Sequence, residues 1–268
     1  MQKTLIITGG TSGIGKACIL RYGKEGYQIV YTGREQSKID RVQKEFESAG
    51  IQCVGICAPV ESEKDAQNVI EVAIEKFGRI DVLICNAGVS MKALFEDVDL
   101  KVFERVMQIN FMGTINYVKH ALPHIIQSKG SIVGISSING HRGTPGRTAY
   151  SASKFAMEGF FEALRIEVMK RGVHIMTLSP GYTQSNIRTN ALGPNGAIQN
   201  ESHKNEEKLM DADTVANHIY QAQIRKKRGV ILTLLGKALI FLNKRFPKWM
   251  DRTVYNVMTK EDPSLIRE

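Results

Sequence analysis

The sequence has no run of 18 uncharged apolar residues, so none of it predicts a membrane-spanning helix. After Met1-Gln2-Lys3-Thr4 the first apolar run is only Leu5-Ile6-Ile7, which predicts no secretory leader. Seven prolines and 24 scattered glycines in 268 residues exclude a collagenous or low-complexity chain. Cysteine is scarce, with only Cys18, Cys53, Cys57 and Cys85. Cys53 and Cys57 fall in an apolar run that reads as a buried strand, and no further ligands follow at zinc-site spacing. His120 and His124 are four apart, but no Glu accompanies them and Pro123 interrupts the segment. We therefore expect structural thiols, a reducing, cytoplasmic setting and no metal. What is present, 43% hydrophobic and 24% charged residues, is ordinary globular composition for one large core.

Acidic residues are nearly missing from residues 225–252. Arg225, Lys226, Lys227, Arg228, Lys237, Lys244, Arg245, Lys248 and Arg252 face Asp251 alone, nine against one. That segment carries +8 of the chain's net +9. The rest is nearly neutral, which excludes a general nucleic-acid binder.

Short apolar runs alternate with longer amphipathic ones. Strands are expected at Thr4–Thr8, Tyr27–Thr32, Ile51–Cys57, Asp81–Cys85, Ser131–Ser136, Val173–Ser179 and Gly229–Leu234. They are rich in Val and Ile and mostly unalternated, as strands covered on both faces should be. Helices are expected near 14–25, 36–49, 62–77, 100–127, 149–171 and 212–226. Ser37 and Ser62 are candidate caps; Gly50, Gly78 and Gly172 are candidate stops. The alternation predicts a single-domain α/β Rossmann fold: a doubly wound, seven-stranded parallel sheet with helices on both faces. This domain would span 1–235 and include a polar lid at 181–210, too long for an idle loop. Residues 236–268 would form an extension with a basic amphipathic helix over 236–258.

The first strand runs into Thr8-Gly9-Gly10-Thr11-Ser12-Gly13-Ile14-Gly15. Glycines at a strand-to-helix turn let the backbone approach a pyrophosphate, and the helix amides then receive its charge. At the end of the second strand an acid would bind the ribose hydroxyl of NAD. The residues there are Tyr31-Thr32-Gly33-Arg34, and an uncharged site beside a guanidinium favours the 2′-phosphate of NADP(H). Further along, Tyr150 and Lys154 share a helix face. A free tyrosine, with a pKa near ~10, is a poor acid at neutral pH, and a neighbouring ammonium pulls it towards working pH. Ser137 ends a strand thirteen residues earlier, where its hydroxyl could reach the same crevice.

These motifs identify the chain as resembling the short-chain dehydrogenase/reductase family. The family's glycine turn corresponds to residues 8–15, its Asn-Ala-Gly to Asn86-Ala87-Gly88 and its helix asparagine to Asn110. Its Ser…Tyr-x3-Lys set is Ser137, Tyr150 and Lys154, and its Pro-Gly is Pro180-Gly181. The resemblance implies that Tyr150 is the general acid of carbonyl reduction and that Ser137 binds the substrate oxygen. Lys154 would hold the nicotinamide ribose, and Asn110 would keep a water chain to Lys154. Gly9, Thr11, Ser12, Gly13, Ile14, Gly15, Arg34, Val60, Asn86, Ala87, Gly88, Pro180, Gly181, Thr183 and Ser185 would complete the cofactor site. Ser185 stands where the family usually has Thr. Pro59 replaces the Asp that usually contacts adenine, leaving the Val60 amide.

The resemblance extends to lipid-handling members such as 3-ketosphinganine and acyl-dihydroxyacetone-phosphate reductases. It implies NADPH-dependent reduction of a hydrophobic or lipid-like ketone. A soluble reductase of β-ketoacyl thioesters or small ketones is the alternative, and a non-catalytic NADP sensor is a third reading. The basic tail would pack on the domain or a sister subunit, or touch an anionic membrane peripherally. Family habit implies a homo-dimer or homo-tetramer through the helices near 100–127 and 149–171.

Overall fold

A computed structural model of the chain describes residues 2–181, 183, 187–199 and 209–262. Seven parallel strands form one sheet: β1 Thr4–Ile7, β2 Gln28–Gly33, β3 Cys53–Cys57, β4 Val82–Cys85, β5 Ser131–Ile135, β6 His174–Ser179 and β7 Gly229–Ile231. Their order is β3-β2-β1-β4-β5-β6-β7. The order reverses between β1 and β4, which opens a crevice at their carboxyl ends.

Helices cover both faces. They are α1 Gly13–Gly23, α2 Gln36–Ser48, α3 Glu63–Phe77, α4 Leu100–Met107, α5 Gly113–Ser128, α6 Thr148–Glu167 and α7 Ala212–Ile224. Alternate strand residues feed two cores. Leu5, Ile7, Val82 and Ile84 pack with α1, α2 and α7. Ile6, Leu83, Ile132 and Ile175 pack with α3, α5 and α6. Ser62 caps α3 by accepting from the Asp65 amide, and Gly78 ends it at φ +74°.

All seven expected strands form, and the expected helices differ in instructive ways. Ser37 is not a cap; it lies inside α2, whose N-cap is Glu35. Helix 100–127 is interrupted by a π-helical segment, Gln108–Met112, that contains Asn110. β3 is not a buried strand. It sits at the sheet edge, so Cys53 is half-buried and Cys57 exposed. β7 stops at Ile231, and the chain turns into α8 Leu234–Arg245 and then α9 Pro247–Glu261. The extension is thus two helices and not one. Pro247 has no amide hydrogen to continue α8, and Phe246 before it leaves the helical region at φ −135°, ψ 63°. Among the described residues no helix is long and apolar enough to cross a membrane.

Helix α6 is seated by one close fit. A methyl group at Gly134 in β5 would come within 2.2 Å of the fully buried Phe161 ring. Phe161→Ala is expected to lower unfolding free energy by ~3–5 kcal/mol, measured by denaturant titration, because the cavity lies against a rigid strand.

Candidate active site

The turn after β1 is built by close backbone approach. Gly9 and Gly13 have φ of +70° and +50°. A Cβ at Gly15 would lie 2.1 Å from the Gly9 carbonyl oxygen, so no side chain fits there. Thr8 locks the turn to the loop after β4: its Oγ1 accepts from the amides of Asn86 and Ala87, both at 3.0 Å. The Asn86 side chain donates back to the carbonyls of Thr8 (2.9 Å) and Gly9 (3.1 Å). Ser12 begins α1 in extended conformation and makes no side-chain cap bond. The result is a side-chain-free cradle at a helix N-terminus, which fits a pyrophosphate.

At the end of β2, Gly33 is packed against Thr11 and Ile39, and Arg34 is exposed. The neighbouring acid, Glu35, is paired with Lys38 at 2.7 Å. That pairing, with a smaller contribution from Arg34, holds the Glu35 carboxyl below its ordinary range. Arg34 makes no ion pair among the described residues. On the far side of the cradle, Val60 packs against Gly113, and its carbonyl accepts from the Asn116 side chain.

Beyond Asn86-Ala87-Gly88 lies the polar centre. Asn110 is fully buried. Its side chain accepts from the Val89 amide (2.8 Å) and donates to the Val89 carbonyl (2.9 Å) and Ser153 Oγ (2.9 Å). Its side chain is therefore spent on bracing the loop and α6, and its carbonyl accepts from Thr114 Oγ1 at 3.0 Å. A Cβ at Gly88 would meet Asn110 Oδ1 at 3.1 Å and Lys154 Nζ at 3.8 Å, so the missing side chain leaves room for both.

Ser137 follows β5 in extended conformation and accepts from the Asn139 amide at 3.2 Å. Its side chain also acts on the Tyr150 hydroxyl, favouring the ionised form. Burial raises the tyrosine pKa above its ordinary value, and Ser137 and the charge of Arg147 offset this only in part. This differs from a tyrosine pulled down by Lys154, because desolvation of the phenolate outweighs the nearby positive charges. A tyrosine that keeps its proton is in the right state to give one away.

Lys154 Nζ donates to the Ile135 carbonyl at 2.8 Å and lies 5.8 Å from the Tyr150 ring centre. Burial pushes its pKa down to about 8, against the upward pull of Glu158 and Cys85. Glu158, one turn further along α6, accepts from Thr177 Oγ1 at 3.0 Å and lies 3.4 Å from His141 Nε2. His141 also meets Ser179 Oγ at 3.2 Å, and Ser179 donates to the Ser137 carbonyl.

The described part of the lid, 187–199, docks on the loop after β4. The Leu192 amide donates to the Ser90 carbonyl, and the Lys92 amide to the Leu192 carbonyl. Gly181 has φ +76° and faces Thr233, beside Pro180. Arg188 donates to the Thr183 carbonyl at 2.9 Å, while Thr183 Oγ1 is buried with no hydrogen-bond partner among the described residues. That orphaned hydroxyl near the sheet's carboxyl end fits a polar ligand group. Ser185 lies outside the described residues.

Residues 3–194 match the family model for short chain dehydrogenases. The chain belongs to this family of oxidoreductases. Dehydrogenase/reductase SDR family member 7B of Rattus norvegicus is 32% identical over 97% of this chain and 82% of its own. A 3-ketodihydrosphingosine reductase of Bos taurus is 36% identical over 68% of this chain and 58% of its own. Among solved structures, a Burkholderia phymatum short-chain dehydrogenase/reductase in complex with NAD superposes with TM-score 0.82. It is 21% identical over 92% of this chain and 95% of that one. An alcohol dehydrogenase of Thermococcus sibiricus, complexed with 5-hydroxy-NADP, superposes with TM-score 0.76 at 20% identity. It covers 87% of this chain and 96% of its own. These likenesses establish the fold, and short-chain dehydrogenases bind a nicotinamide cofactor.

Motif reading brought Asn110, Ser137, Tyr150 and Lys154 to one place but missed their neighbours. Ser153, Arg147 and Glu158 touch or bias that set, His141 meets it through Ser179 and Glu158, and Thr8 braces the loop that leads to it. Arg147 and Glu158 had a readable signal, since they stand one turn before Tyr150 and one turn after Lys154. The state of Lys154 is open to measurement. Between about pH 8 and the ordinary lysine value of 10.5, the unfolded chain holds a proton that the folded chain has released. Folding stability from this group therefore rises with pH in that window and is flat below it. The stability of wild type relative to Lys154→Met should climb from pH 8 to 10 in denaturant titrations.

Proposed function

We propose that the protein is an NADPH-dependent reductase that converts a hydrophobic or lipid-like ketone to an alcohol. The observation that carries this reading is the buried Tyr150 one turn from the buried Lys154, in the crevice that Ser137 closes at the end of β5. When bound, the nicotinamide cofactor supplies hydride to the carbonyl carbon. The chain's own residues position and polarise. Ser137 and Tyr150 donate hydrogen bonds to the substrate oxygen, and Tyr150 gives it a proton as charge develops there. Lys154, charged below about pH 8, stabilises the tyrosinate left behind.

NADPH is favoured over NADH by the glycine and free guanidinium at Gly33-Arg34, where Glu35 is already engaged by Lys38. The substrate class draws support from the similarity to a 3-ketodihydrosphingosine reductase.

Tyr150→Phe keeps the ring and removes the donor. It should retain NADPH binding, read by fluorescence titration, and lose at least ~100-fold in turnover, read as NADPH oxidation with a panel of long-chain and small ketones. Near-normal turnover in this variant would refute the mechanism. Uptake of small ketones in preference to long-chain ones would refute the substrate class. A charge-assisted contact to the 2′-phosphate contributes about 1.5–3 kcal/mol. Arg34→Ala should therefore raise the NADPH Michaelis constant at least ~10-fold and barely change that for NADH.

A further inference from the structure

The described C-terminal helices are amphipathic in the wrong sense for a soluble domain. On α8 the buried contacts are made by Gly236 and Ile240; Gly236 sits against Ile138, just after Ser137. The opposite face, turned to solvent, carries Leu234, Leu235 and Phe241, which are 82%, 75% and 68% exposed. Leu234, Ala238 and Phe241 lie at helical spacing on that face, and Arg245 closes its C-terminal end. On either side of Pro247, Phe246 and Trp249 are also more than half exposed. A soluble surface scatters single apolar residues; a contiguous aromatic and aliphatic strip is an interaction site.

Charge narrows the occupant. Arg225–Arg228 lie before β7 and α8 lies after it, so the strand places the two basic groups at opposite ends. Lys237, Lys244, Arg245, Lys248 and Arg252 remain around the strip, and all five are exposed. The sole acid among them, Asp251, is held by Arg142 at 2.7 Å. A second copy meeting this face through a two-fold axis would set cations against cations, which is unfavourable. Leucine, phenylalanine and tryptophan rimmed by lysine and arginine suit an anionic lipid surface: the rings enter the interface and the cations meet the headgroups.

The strip is also tied to the reacting centre. Arg142, in the loop between Ser137 and Tyr150, donates to Asn243 on α8 at 2.9 Å and pairs with Asp251 on α9. Asn243 donates to the His141 carbonyl. At the other end of α9, Asp262 pairs with Lys92 in the loop after β4, at 2.5 Å. Thus α8 and α9 are fastened to both loops that frame the site.

We infer that the exposed face of α8 and the start of α9 is a docking surface for an anionic bilayer, which holds the crevice at the membrane interface. Attachment is peripheral and reversible. A bilayer here serves the lipid-like ketone proposed above, but attachment is measured without turnover.

The full-length protein is mixed with phosphatidylcholine vesicles, with and without phosphatidylserine. Sedimentation and the emission of Trp249, the only tryptophan, are recorded at low and high salt. Binding to the phosphatidylserine vesicles with a blue shift at low salt, reversed by salt, is expected. Lys237→Glu/Lys244→Glu, at two exposed positions on one side of α8, should weaken vesicle partition at least ~10-fold. It should leave NADPH-dependent reduction of a short, water-soluble ketone unchanged. Phe241→Asp should also release the protein, with an unchanged melting temperature as the folding control. Three results would each overturn the inference: no binding to either vesicle, equal and salt-insensitive binding to both, or self-association abolished by Phe241→Asp in a protein that ignores vesicles. Loss of all ketone reduction with intact vesicle binding would instead count against the proposed reaction alone.

Discussion

An ammonium group only 3% exposed must be compensated, because an unpaired buried charge costs several kcal/mol, to order of magnitude. The compensation of Lys154 organises the site around it. The Ile135 carbonyl at the end of β5 accepts its hydrogen bond, so β5 must end where it does. Glu158 supplies opposite charge from the same helix. Phe161 against Gly134 fixes the height of α6 over β5, and Asn110 fixes its lateral position through Ser153. Gly88 has to lack a side chain because Asn110 and Lys154 both converge on it. Tyr150 is one turn away on the same helix, so whatever sets the lysine also sets Tyr150.

The switch point between β1 and β4 supplies the second fixed reference. Thr8-Gly9 and Asn86-Ala87 are joined by four hydrogen bonds across it, which ties the glycine turn to the loop leading to Asn110. Cofactor cradle and polar centre are therefore one continuous backbone object. One accepting side chain, Thr8, and one donating side chain, Asn86, replace a packed core where a ligand needs the space.

Much of this was legible in the chain itself. Strands covered on both faces show as unalternated apolar runs, and all seven strands could be placed from such runs, the two edge strands included. Glycine at the β1 turn and the Tyr-x3-Lys spacing are local signals, so Gly9, Gly15, Tyr150 and Lys154 could be placed without a structure. What failed was set by distant neighbours. Cys53 and Cys57 lie in an apolar run, but strand order puts β3 at an edge, and local sequence does not encode order. The π segment at Asn110 arises because its side chain must reach Val89, 21 residues away. The tyrosine's raised pKa reflects burial by the whole fold, so a neighbouring lysine could not predict its direction. Phe246-Pro247 was a local signal for two helices, since proline is favoured at the first position of a helix and stops the one before it. The basic tail looked like one patch because a linear charge count cannot see that β7 runs through the middle of it.

The π segment between α4 and α5 has a consequence for how the chain tolerates change in length. Its wider ring makes residues 100–128 one rod with an extra residue set into it. Removing one residue from 108–112 would restore an ordinary helical turn and keep α4 nearly in phase with α5, because a π turn spreads about the same rotation over one more residue. Val102 and Val106 would stay on the core face, and the loss would fall on Asn110 and its bonds to Val89 and Ser153. A deletion elsewhere along the rod would instead turn one half by about 100° and swing core side chains towards solvent.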